Sequence, residues 1–123
     1  MYTKKVVEHF LNPKNMGEME NADAIAEEGN PVCGDMMRVY LKIKDNKIDD
    51  IKFMTFGCAA AIACASVVSE LAKGKTLEEF SKVKRDDIIS ELGELPPHKK
   101  HCSSLAIETV NKAIDKWKKE NKN

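Results

Sequence analysis

The sequence lacks an excess of charge of either sign, an uninterrupted apolar stretch near residue 1 of the kind expected in a signal peptide, and an apolar run long enough to cross a bilayer. Its 20 Lys and Arg residues balance 20 Asp and Glu residues, so no field of one sign favours nucleic acid or an anionic membrane as a partner. Lys4, Lys5 and Glu8 interrupt the apolar residues of the N-terminus. The longest apolar stretch, 58–65, is far too short for a transmembrane helix. We therefore expect a cytoplasmic protein with no membrane or nucleic-acid partner.

Cysteines are few, and their spacing excludes several common sites. The chain has 4 cysteines, and no two of them form a C-x-x-C pair. That pair is typical of zinc ribbons, ferredoxins and thioredoxin-like sites, so any metal site here must be brought together by the fold. Without a secretory signal, unclustered cysteines favour metal binding or thiol chemistry in a reducing cytosol over disulfides.

The length and patterning predict one α+β domain over residues 1–123. A hydrophobic share of 42% is enough for one core. Alternating apolar residues predict an antiparallel hairpin, with strands 36–44 and 47–56 joined by a turn at Asp45-Asn46. We expect Met37, Val39, Leu41 and Ile43 on its buried face. The preceding segment, 15–31, has weak periodicity and predicts a loop with an edge strand near residues 22–26. The result is a small antiparallel sheet covered by helices.

Apolar spacing and helix-end signals predict the helices. The N-terminal helix covers residues 2–11 and is stopped by Asn12-Pro13, and an Ala-rich helix, 58–73, is closed by Gly74. Further signals predict a short helix opening at Thr76, another over 86–92, a rigid extended bend at Leu95-Pro96-Pro97, and a long C-terminal amphipathic helix starting near Cys102.

Cys33 lies in the sequence Pro-Val-Cys-Gly-Asp, which can present a sulfur and an oxygen together. In an extended segment alternate side chains point the same way, so Cys33 and Asp35 can face one ligand. Gly34 between them allows close backbone approach. The alternative is that Cys33 is a small buried hydrophobe and Asp35 a turn residue.

Cys58 and Cys102 both fall near predicted helix N-termini, where unpaired N–H groups stabilise a thiolate. Cys102 also follows Lys99, Lys100 and His101, which makes it the best sulfur nucleophile of the chain. His101 is a candidate fourth ligand or proton shuttle, or an ordinary surface residue. Thiolates bind soft metals and accept sulfur, so these residues indicate a metal or iron-sulfur site. The alternative for Cys58 is a core cysteine.

Cys64 does not fit this site. It follows Cys58 by six residues, which on a helix separates the two side chains by about 120° and about 9 Å along the axis. Both separations disfavour a shared metal or a disulfide. We expect Cys64 to pack in the core.

These motifs resemble the IscU family of iron-sulfur cluster scaffolds, which also occurs as the N-terminal domain of NifU proteins. The resemblance covers nearly the whole chain, through segments 12–17, 29–35, 53–63, 73–76 and 95–103. It implies a scaffold, not an enzyme, that assembles a 2Fe-2S cluster on Cys33, Cys58 and Cys102, with Asp35 or His101 as fourth ligand. Zinc can occupy the same ligands in this family.

The resemblance also implies partners. These are a cysteine desulfurase that delivers persulfide sulfur, with Cys102 as acceptor, Hsp70/J-type chaperones that help release the cluster, and acceptor apo-proteins that receive it. The chain would be a monomer, or a homo-oligomer when it binds the cluster. His98 replaces the valine of the chaperone-recognition motif in many relatives, Ala59 replaces a common glycine, and Cys64 stands where serine is usual.

Two other functions deserve comparison. A zinc-bound sulfur acceptor that stimulates a desulfurase, like the SufU proteins, would carry an insertion between the second and third ligand cysteines, and the interval 58–102 has no obvious one. A cysteine-dependent enzyme would pair Cys102 with His101. Adjacent helix residues point about 100° apart, which disfavours that pairing.

Overall fold

In the part of the chain that the structure describes, three strands form one antiparallel sheet in which strands adjacent in sequence are also adjacent in the sheet. The computed structural model describes residues 2–30 and 35–121. In it β1 spans Ala24–Asn30, β2 spans Asp35–Lys44 and β3 spans Lys47–Phe56. The predicted hairpin is therefore confirmed. Asp45 and Asn46 form its turn with φ of 52° and 62°, the left-handed values of a two-residue hairpin turn that Asp and Asn tolerate.

The edge strand exists, but it lies further along the chain than the sequence predicts. It pairs with β2 from Ala24 opposite Leu41 to Asn30 opposite Asp35. The prediction placed it over 22–26 because Glu27, Glu28 and Gly29 have little intrinsic preference for strands. Pairing with β2 overrides that weak preference. Only the tertiary structure supplies this pairing.

The sheet buries one face as predicted and part of the other. Met37, Val39, Leu41 and Ile43 are all buried. Tyr40, which alternation assigns to the opposite face, is also only 6% exposed. A register shift between Lys42 and Ile43 sets Ile43 opposite Ile48, so both isoleucines enter the core.

Five α-helices accompany the sheet among the residues that the structure describes. They are α1 (Lys4–Leu11), α2 (Ala59–Ala72), α3 (Leu77–Phe80), α4 (Arg85–Leu92) and α5 (His101–Glu120). Helix α5 packs on β1 and β2, α2 packs on β3, and α1 and α4 pack on α2. The architecture is α+β with a long C-terminal helix, as expected. Within the described ranges, no helix has the length and apolarity needed to cross a membrane.

The predicted helix ends are present. Thr76 and Glu79 form the capping box of α3, each side chain accepting from the other's backbone N–H. Those hydrogen bonds hold the pKa of Glu79 below its usual range. Gly93 follows α4 with φ of 90°, a conformation in which a side chain would be strained. The Thr3 side chain caps α1 by accepting from the Val6 N–H, and donates to the Leu92 carbonyl at the end of α4.

The proline segment differs from the predicted extended bend. Pro96 is extended, with ψ of 142°, but Pro97–Lys99 forms a 3₁₀ turn closed by the Lys99 N–H on the Pro96 carbonyl at 2.8 Å. Proline is favourable at the first position of such a turn because its missing N–H would have no partner there. Helix α5 then begins at His101, one residue before Cys102.

Candidate thiol site

Cys58 lies at the junction of β3 and α2. It is the N-cap of α2, with φ of −77° and ψ of 174°, and its carbonyl accepts from the Ile62 N–H at 3.2 Å. Its side chain is half-buried and packs against the core. The predicted position at a helix N-terminus is therefore correct, and the sulfur sits where the helix dipole favours negative charge.

Cys102 is the second residue of α5 and is 2% exposed. Its Sγ lies 3.7 Å from His101 Nε2. The sequence argument that adjacent helix residues diverge is thus wrong for this pair. The imidazole ring extends well beyond Cβ, so its Nε2 can reach the neighbouring sulfur although the two Cα–Cβ bonds point in different directions.

Lys99 interacts with both sulfur atoms. The pKa of Lys99 is raised, first by Coulombic attraction to Cys58, next by a hydrogen bond with Cys58, and also by Tyr2 and Cys102. A single ammonium group from the 3₁₀ turn therefore lies within electrostatic reach of the N-terminal residues of two helices. Such a cation favours thiolates over thiols.

Tyr2 is a second shared neighbour. Its pKa is raised, mainly by burial, then by the negative charge of Cys58 and a hydrogen bond with it, with a smaller contribution from Cys102; Lys99 acts in the opposite direction. The sequence analysis did not identify Tyr2 as a site residue. No local signal could have done so, because its contacts join the N-terminus to residues more than fifty positions away.

Cys33 lies outside the described residues, as does the side chain of Asp35. The backbone around them is informative, because Asn30 of β1 pairs with Asp35 of β2. At the same end of the sheet Met36 pairs with Phe56, two residues before Cys58. The segment that carries Cys33 is therefore attached at the end of the sheet where β3 finishes and the chain enters α2.

The described residues do not complete a metal site. Across 2–30 and 35–121, no three or more His, Cys, Asp or Glu side chains form a group that could hold a metal ion. Cys58, Cys102 and His101 are thus not a sufficient set. The ligand set of Cys33, Cys58, Cys102 and either Asp35 or His101 stays a prediction.

Cys64 is fully buried in α2, at 0% exposure, and belongs to the hydrophobic core. This placement agrees with its expected packing role. It lies on the same helix as Cys58 but further into the core, as the helical geometry requires.

The protein is a small α+β domain with a cysteine near the N-terminus of each of two helices. Comparison with known proteins identifies its family. The NifU-like N terminal domain model matches residues 1–123, so the chain belongs to that family. It is 54% identical over 121 residues to the "Iron-sulfur cluster assembly scaffold protein IscU 1" of Archaeoglobus fulgidus, covering 98% of this chain and 79% of that protein. It is 44% identical over 121 residues to the scaffold protein IscU of Escherichia coli K12, covering 95% and 94% respectively.

Solved structures share the fold. The N-terminal NifU-like protein of Brucella abortus superposes with a TM-score of 0.84 at 21% identity, covering 96% of this chain and 94% of that chain. A putative iron-sulfur cluster assembly scaffold protein for the SUF system from Fervidobacterium islandicum gives a TM-score of 0.77 at 27% identity, covering 92% and 96%.

Proposed function

We propose that this protein is a scaffold on which a 2Fe-2S cluster is assembled and from which it passes to acceptor proteins. The observation that carries the proposal is that Cys58 and Cys102 lie at the N-termini of α2 and α5, and that both interact electrostatically with Lys99. Two thiols from separate helix N-termini, sharing one cation, suit the binding of soft metals and sulfur. The names of the relatives from Archaeoglobus and Escherichia, which cover almost the full chain, support the same function.

The proposed ligands are Cys33, Cys58 and Cys102, with Asp35 or His101 in the fourth position. The 3.7 Å contact between His101 and Cys102 supports the histidine, and the start of β2 two residues after Cys33 supports the aspartate. Either one replaces a thiolate by a nitrogen or oxygen ligand, which gives a mixed shell better suited to release than four thiolates. Zinc can bind the same set when iron is absent.

Cys102 is the proposed sulfur acceptor. Its thiolate attacks the terminal sulfur of a persulfide on a cysteine desulfurase, a new S–S bond forms on Cys102, and the donor's S–S bond breaks to release the donor thiolate. The transfer consumes no oxidant or reductant. The positive charge of Lys99 supports this role because it stabilises the anionic sulfur before and after transfer.

Anaerobic reconstitution with iron and sulfide tests the proposal. Wild type is expected to gain the visible charge-transfer absorption of an iron-sulfur cluster, and the Cys33→Ser, Cys58→Ser and Cys102→Ser variants are expected to lose it. Cys64→Ser is the matched control, because its thiol lies in the core and its loss should leave the absorption unchanged. Full absorption in any of the three ligand variants would remove that residue from the set.

The same experiment separates the scaffold from a zinc-bound sulfur acceptor of the SufU kind. The similarity to the SUF-system protein of Fervidobacterium islandicum makes that comparison relevant. A zinc-only acceptor would bind zinc and stimulate a desulfurase but would gain no charge-transfer absorption. Proposed partners of the scaffold are a cysteine desulfurase, acceptor apo-proteins and Hsp70/J-type chaperones.

A further inference from the structure

The outer edge of β1 is a surface that the proposed function does not use. Because the strand order is β1-β2-β3, β1 pairs with β2 on one side only. An edge of this kind carries a row of unpaired N–H and C=O groups and can pair with another extended chain.

Two lysines of α5 reach the backbone of this edge. Lys116 Nζ donates to the Ile25 carbonyl at 3.0 Å, and Lys112 Nζ donates to the Glu27 carbonyl at 3.1 Å. Lys112 also forms an ion pair with Glu28 at 3.0 Å. The alternate carbonyls on the open side of β1 thus have ammonium groups as partners.

The spacing of helix and strand explains the match. Lys112 and Lys116 are one helical turn apart, about 6 Å along α5. Ile25 and Glu27 are two residues apart, about 6.8 Å along an antiparallel strand. Since the higher-numbered lysine meets the lower-numbered strand residue, α5 and β1 run in opposite directions at this point.

We propose that Lys112 and Lys116 prevent β1 from pairing with β1 of a second copy of this chain. The two ammonium groups compete with an incoming strand for these carbonyls, and they repel the same pair on another copy. The inference goes beyond the scaffold function and does not depend on it.

A second copy is the occupant that the edge fits, because an edge strand can pair antiparallel with itself about a two-fold axis. In a pairing centred on Ala26, Ile25 of each copy lies opposite Glu27 of the other copy, so no glutamate faces another glutamate. Ile25 is 42% exposed and would gain a cross-strand neighbour.

Sedimentation velocity of the metal-free full chain under reductant tests the proposal. The double variant Lys112→Met/Lys116→Met is expected to self-associate with a dissociation constant at least about tenfold lower than wild type, since both carbonyls become available. Lys118→Met/Lys119→Met is the matched control, because it makes the same change of charge and hydropathy near the end of the same helix. Lys112→Arg/Lys116→Arg retains the donors and should behave like wild type.

Hydrogen exchange identifies the surface that associates. The N–H and C=O of one residue in an antiparallel strand point to the same side, so the amides of Ile25 and Glu27 also face the open edge. They should gain protection in the associated Met variant. An unchanged dissociation constant, or association without added protection at Ile25 and Glu27, would overturn the proposal. If the double variant fails to fold by circular dichroism, the single variant Lys116→Met gives the same comparison at one carbonyl.

Discussion

One buried hydroxyl group of α2 links it by hydrogen bonds to α1 and to the segment after α1, and its removal is expected to lower the protein's stability. Ser66 of α2 is 0% exposed. Its Oγ lies 2.7 Å from His9 Nδ1 and accepts from the Lys14 N–H at 2.8 Å. Ser66→Ala removes this hydroxyl and leaves the His9 Nδ1 and the Lys14 N–H without their shared hydrogen-bond partner.

The cost follows from those two groups. A buried donor or acceptor left unsatisfied costs about 1–3 kcal/mol. The His9 side chain is 19% exposed and Lys14 is an exposed residue, so water can satisfy part of the loss at both groups. We expect the free energy of unfolding to fall by about 1–3 kcal/mol, which at an m-value of about 2 kcal/mol/M lowers the urea midpoint by about 0.5–1.5 M.

Equilibrium urea unfolding of the metal-free protein, followed by circular dichroism under reductant, measures this change. Ser81→Ala is the control, because Ser81 is exposed and its hydroxyl donates only to the nearby Glu78 carbonyl. A surface change of that kind should alter stability by under about 0.5 kcal/mol. If Ser66→Ala is no more destabilising than Ser81→Ala, the hydroxyl does not hold α1 on α2.

Three further changes test the site and a helix cap. Cys102→Ser should abolish persulfide on the scaffold when desulfurase and cysteine are supplied, and a full persulfide signal by mass spectrometry would assign the acceptor to another cysteine. Asp35→Ala should slow cluster transfer to an acceptor and lengthen the life of the bound cluster, because an oxygen ligand favours release; unchanged transfer kinetics would exclude Asp35 from that role. Thr76→Ala should lower stability by about 0.5–2 kcal/mol through loss of the α3 cap. Because the cap lowers the pKa of Glu79, the stability it adds is present above the ordinary glutamate pKa and is lost as pH falls through the lowered value. Thr76→Ala keeps the backbone N–H that is the first cause of the lowered pKa, so most of that acid dependence should remain in urea unfolding, and its complete loss would contradict this assignment.

Local signals predicted most of the secondary structure. The Asp45-Asn46 turn, the capping box at Thr76 and the glycine after α4 each depend on a few neighbouring residues, and all are present. The structure departs from the predicted elements in the edge strand and in the proline segment. β1 extends through Glu27 and Glu28 because β2 pairs with them, and Pro97 enters a 3₁₀ turn ahead of α5.

The features of the site also divide into those set by neighbouring residues and those set by tertiary packing. The positions of Cys58 and Cys102 at helix N-termini were predictable, since each is followed by a recognisable helix. Their shared electrostatic interaction with Lys99 was not predictable from spacing, because it depends on how α2 and α5 are placed relative to the 3₁₀ turn. Tyr2 joins them only through the docking of α1 on α2.

The sequence by itself determined where most helices and strands begin and end, because propensity and capping act over a few residues. The tertiary structure alone decided that Tyr2 and Lys99 interact electrostatically with the two helix-terminal cysteines, and that two lysines of α5 occupy the edge of β1. Contacts between residues far apart in the chain depend on how whole elements pack, and packing is set by the complete core rather than by any one segment.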